Sequence, residues 1–139
     1  MERRDIIEDE IKKVSTILRS ILARYYDLAP QEEASVKVEV TNRSLKTDLG
    51  IDIEAVMSYS SDELKSYTKQ LNLTGEQLDM LSEYLASVGD TKSEDDEGRN
   101  AWYEKAIDLL EIADEGARTL SFARFERRNR LRALLLGYT

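Results

Sequence analysis

The sequence predicts an all-α protein, a compact helical bundle of five to seven helices. Three observations predict it. The 139 residues hold one Pro and six Gly, too few chain-breakers for a many-turned β fold. Apolar residues recur at helical spacing in most segments. Two segments open with helix-capping signatures. Apolar residues make up 41% and charged residues 35%, so a core can form beneath a charged surface. The length fits one domain, residues 1–139. Within it the pattern places a long N-terminal helix (1–28), short acidic helices (31–88) and a closing hairpin (100–137).

The first helix is carried by Ile7, Ile11, Val14, Leu18, Ile21 and Tyr25, a stripe spaced 4, 3, 4, 3, 4. Ile6, Ile17 and Leu22 widen it, which suits packing inside a bundle. The stripe also fits a seam between two copies, so a homodimer is a second expectation. Glu8/Lys12 and Asp9/Lys13 are favourable i,i+4 pairs on the exposed side. Pro30 is expected at or just past the helix end.

Residues 31–49 are ambiguous. Val36, Val38 and Val40 alternate with charged or polar residues, a strand signal. As a helix, Ala34, Val38, Thr41, Leu45 and Leu49 share one face. Gln31, Glu32 and Glu33 would fill its first turn, and Gly50 would fall at C′. A lone strand has no partner to pair with, so helix is the reading taken.

Short helices follow. Ile51 and Asp52 look like a staple residue and an N-cap before residues 53–59. Ser60 with Glu63 is a capping-box pair, opening a helix with Leu64, Tyr67 and Leu71. Thr74 with Gln77 repeats the pattern before Leu78, Leu81, Leu85 and Val88. Gly89 is expected to close that helix, and residues 89–99 read as an acidic linker. Trp102, Ala106, Leu109, Leu110 and Ala113 line the next helix, with a turn near Asp114–Gly116. The last helix is expected from about Arg118 to Leu136. Leu120, Phe122, Phe125, Leu131, Leu134 and Leu135 are its candidates for burial, and Gly137 is placed to end it.

Residue types exclude much chemistry. With no Cys there is no disulfide, zinc-thiolate site or thiol nucleophile. With no His there is no Ser-His-Asp triad and no Glu-x-x-His di-metal site. The Gly spacing matches no phosphate-binding loop. The run Glu94-Asp95-Asp96-Glu97 lacks the alternation and central Gly of a calcium loop, and reads as a solvated loop. The expectation is a non-catalytic protein with no cofactor and no metal. No apolar run follows the charged first residues, and no stretch approaches a membrane span, so a cytoplasmic protein is expected.

The net charge is −8. Residues 29–99 hold 16 acids and seven bases, whereas residues 100–139 hold six acids and seven bases. Arg118, Arg124, Arg127, Arg128, Arg130 and Arg132 crowd the last helix. Arginine favours bidentate contacts to carboxylate or phosphate. Three readings follow: pairing with acids of the same chain, an acidic segment of a partner protein, or nucleic acid. The acidity of the whole chain ranks nucleic acid last. Tyr25, Tyr26, Trp102 and Tyr103 are aromatics that could line a peptide groove or serve the helical core, with Trp102 and Tyr103 kept as further candidates.

Residues 100–135, NAWYEKAIDLLEIADEGARTLSFARFERRNRLRALL, resemble a tetratricopeptide-type helical hairpin. YEKAIDLLEIADE is similar to the second helix of such a repeat, and the following helix to one that closes an array. The Trp…Leu-Gly…Tyr first-helix pattern is missing upstream, and no Pro follows Asp114. More broadly, the chain resembles small bacterial helical proteins grouped as domains of unknown function. That resemblance implies an all-α fold and supplies no activity. The expected role is therefore a protein–protein interaction module. The alternative is a nucleic-acid-associated regulator acting through the arginines.

Overall fold

The computed structural model describes residues 2–27 and 33–137, with side chains from Ile6 onward. The fold is all-α. The described residues form seven helices: α1 (Glu2–Asp27), α2 (Ala34–Leu49), α3 (Ile53–Ser58), α4 (Ser61–Gln70), α5 (Gly75–Asp90), α6 (Glu97–Gly116) and α7 (Phe122–Leu135). No helix is long and apolar enough to cross a membrane among these residues. The chain divides into two compact units, Met1–Ile53 and Glu54–Thr139. The expected roles of Pro30, Gln31 and Glu32 lie outside the described residues.

In the first unit α1 packs against α2. Its buried apolar residues are Leu18, Leu22 and Tyr25 of α1, Leu45 of α2, and Ile51 and Ile53. The ambiguous segment is a helix, and Thr41 and Leu45 of the expected face are buried. The buried Thr41 hydroxyl donates to the Lys37 carbonyl at 2.7 Å. Val36 and Val40, which gave the strand signal, are exposed. Gly50 takes φ 70° and ends α2. Its N–H donates to the Lys46 carbonyl, and the Ile51 N–H to the Leu45 carbonyl, the two bonds of a Schellman turn.

The stripe of α1 is buried over only part of its length. Leu18 is fully buried, but Ile7 is 53% and Ile6 58% exposed. Length contributes to this difference. At ~1.5 Å per residue α1 spans about 39 Å and α2 only about 24 Å, so α2 cannot cover all of it.

In the second unit α6 packs against α4, α5 and α7. Leu78, Leu81, Leu85 and Val88 of α5 are buried as their spacing predicts. Against them lie Tyr103, Ala106, Leu109, Leu110 and Ala113 of α6, also buried. Both capping boxes form. Ser60 accepts from the Glu63 N–H, and Thr74 from the Gln77 N–H, each with the reciprocal side-chain bond. The buried Ser82 hydroxyl donates to the Ala106 carbonyl at 2.7 Å, tying α5 to α6.

Four boundary expectations are corrected. Gly89 does not end α5, which runs on to Asp90. A Cβ there would lie 2.7 Å from the Tyr103 ring, so the glycine admits a tyrosine from the facing helix. The linker shortens to residues 91–96, because Asp96 caps α6 by accepting from the Gly98 N–H at 2.8 Å. The acidic run thus opens a helix, where negative charge suits the dipole. No turn forms at Asp114, since α6 continues to Gly116. Finally, α7 starts at Phe122 rather than near Arg118, with Ser121 accepting from the Arg124 N–H.

Candidate functional site

The arginine-rich helix carries most of the residues singled out by the sequence. Its docked face is set by Arg124, Arg128, Leu131 and Leu135, spaced 4, 3, 4 along the helix. Leu131 is buried. The Arg124 side chain is only 13% exposed. Its Nε and Nη2 donate to the two Asp79 carboxylate oxygens at 2.8 and 3.0 Å, a bidentate fork onto α5. Its Nη1 lies 3.5 Å from Asp114 of α6. The Asp79 carboxylate raises the Arg124 pKa above its ordinary value, against the effect of burial. Gly75 makes room for this group, because a Cβ there would meet Arg124 Nη2 at 2.8 Å.

Three more arginines pair inside the same unit. Arg128 lies 3.3 Å from Asp114, Arg132 2.8 Å from Glu111, and Arg130 3.9 Å from Asp90. Arg118 and Arg127 have no ion-pair partner among the described residues. Trp102 is half-buried and Tyr103 fully buried. The Tyr103 hydroxyl donates to Asp90 at 2.7 Å and accepts from Arg99 Nε at 3.1 Å. Burial raises its pKa, reinforced by the bond to Asp90. Tyr103 therefore forms part of the α5–α6 interior rather than of a groove.

The start of α7 and the residue before its cap correct the expected burial. Leu120 is 96%, Phe122 72% and Phe125 51% exposed. The two phenylalanine rings stack with centroids 6.4 Å apart. The helix thus docks through arginines and shows its phenylalanines. The sequence signal for this was weak. It lay in the shared 4, 3 spacing of Arg124, Arg128 and Leu131, which a hydrophobicity count passes over.

A cleft of about 510 Å³ beside Arg124 is bounded by Lys65, Lys69, Thr74, Gly75, Leu78 and Arg124 itself, among others. Lys65 pairs with Glu115 at 2.6 Å there. Among the described residues no group of three or more acids is placed to hold a metal ion.

These features define a small all-α protein with an arginine-anchored last helix and an exposed aromatic face. No family model, curated protein or solved structure matches the chain.

Proposed function

We propose that the chain is a non-catalytic protein-interaction module that docks a partner on the outer face of α7. The observation that carries this reading is the exposed group Leu120, Phe122 and Phe125. Large exposed apolar side chains gathered in one place favour a contact with another protein. Arg118 stands beside them in the chain, without an ion-pair partner among the described residues. The partner that suits this surface is an amphipathic segment with apolar residues on one face and acids at its flank. The tetratricopeptide-like character of the α6–α7 hairpin belongs to the same reading. A phosphate-binding surface has less support, because Arg124, Arg128, Arg130 and Arg132 already face carboxylates.

The test is a titration of the isotope-labelled protein with a synthetic amphipathic helical peptide bearing Leu on one face and Glu at its flanks. Amide shifts centred on residues 120–127, weakened by salt, are expected. An absence of shifts there, or shifts centred elsewhere, overturns the reading.

A further inference from the structure

The three helices α5, α6 and α7 are held in their unit by unequal means. α5 buries eight of its 16 residues and α6 six of its 20. α7 buries one of its 14, Leu131. Its Ala133, Leu134 and Leu135 are half-buried. The rest of its hold is ionic. Arg124 and Arg128 meet Asp79 and Asp114 in shielded positions. Arg132 meets Glu111, and Arg130 meets Asp90, in more exposed ones. The remaining charges of α7, Glu126 and Arg127, are exposed. The shielded pairs are imperfect. Arg128 Nε and Asp114 Oδ1 are buried, and neither has a hydrogen-bond partner among the described residues. Polar groups left in that state cost stability. The connection adds no hold, since residues 117–120 are all exposed.

We infer that α7 is an ionic latch, which opens as a unit while α5 and α6 stay packed. The inference is independent of what binds the outer face of α7. Opening breaks no backbone hydrogen bond between helices, because each helix keeps those bonds within itself. It gives up one buried leucine, some half-buried apolar surface and the carboxylate contacts, and each freed charge regains its water. Once undocked, a helix of 14 residues is marginal in water and unwinds. Closed, the unit shows Phe122 and Phe125. Open, it shows Asp79, Asp90, Glu111 and Asp114, the four carboxylates that α7 covers. The latch therefore exchanges an aromatic surface for an acidic one. Salt shifts the balance toward the open form. It screens the attraction that closes the latch and does not weaken the apolar α5–α6 contact.

Native-state hydrogen exchange of the full chain, resolved by residue, tests this. Amides of residues 126–135 should exchange at least about tenfold faster than those in the buried stretches of α5 and α6. Between about 0.05 and 1 M sodium chloride the α7 rate should rise several-fold, and the α5 and α6 rates should not. Asp79→Asn removes the charge that the Arg124 fork meets, and should raise the α7 rate at least about tenfold. The Arg132–Glu111 pair is more exposed, so its variants do not endanger the fold. Glu111→Arg and Arg132→Glu should each raise the α7 rate, and the two together should return it toward that of the parent. Amides of α7 that exchange only together with those of α5 and α6 overturn the latch. So does an α7 rate that is indifferent both to salt and to reversal of either charge of that pair.

Discussion

α6 and α7 are consecutive helices that pack against each other, yet they meet the rest of their unit by opposite chemistry. α6 turns apolar residues inward, from Tyr103 to Ala113, and leaves charges such as Glu104 and Glu115 outside. α7 turns Arg124 and Arg128 inward and leaves Phe122 and Phe125 outside. An apolar inner face is stabilised by removal from water and is indifferent to the identity of its neighbour. A charged inner face is stabilised only where carboxylates meet it, and elsewhere burial would cost several kcal/mol per ion. Asp79 on α5 and Asp114 on α6 meet that requirement. The outer face of α7 is thereby left to its phenylalanines. The exposure of the phenylalanines follows from the position of two aspartates.

The comparison can be broken most forcefully at α6. Tyr103→Ala removes a fully buried ring that fills the space beside Gly89. It should cost about 3–5 kcal/mol, read as a lowered urea midpoint. Tyr103→Phe keeps the packing and loses only the hydroxyl contacts to Asp90 and Arg99, so its cost should be about 1 kcal/mol.

The inner face of α7 comes next. Arg124→Ala leaves Asp79 without its fork and should cost about 1–3 kcal/mol, an effect that a partly exposed site keeps below that of a fully buried pair. Arg128→Ala should cost less. Its contact to Asp114 is longer, and its buried Nε has no hydrogen-bond partner among the described residues. A larger loss from Arg128 than from Arg124 in urea unfolding would contradict this account.

A cap supplies a smaller, pH-dependent effect. The Ser60 N–H and hydroxyl hold the Glu63 carboxyl below its ordinary 4.5. A depressed acid contributes stability that is present above its unfolded value and is lost as pH falls through the folded one. Glu63→Gln keeps a side-chain acceptor but does not titrate. The stability gap between the two proteins should therefore be largest near neutrality and close below pH 4.5. Thermal unfolding at stepped pH reads it, and a gap that widens in acid would reverse the assignment.

The smallest stability effect belongs to the outer face of α7. Phe122→Ser should change stability by no more than about 0.5 kcal/mol, because the ring is largely exposed. Binding without stability on one face, and stability without binding on the other, is the outcome that sharpens the contrast. A loss of several kcal/mol from Phe122→Ser would show that the ring is part of the core.

The local signals in the sequence determined the all-α fold, both capping boxes, the Gly50 turn and the apolar face of α5. Each depends on residues within about one or two helical turns, where spacing alone fixes which side chains meet. Gly89 was misread because a glycine that ends a helix and one that admits a neighbouring ring look alike until Tyr103 is placed beside it. The burial of Leu120, Phe122 and Phe125 was misread for a related reason. Spacing lays apolar and arginine stripes on α7 but does not choose between them. The choice came from Asp79, 45 residues away in the chain from Arg124. Ion pairs at that separation exist only once the chain has brought α5, α6 and α7 together, so tertiary structure alone decided which face of α7 points inward and which stays exposed.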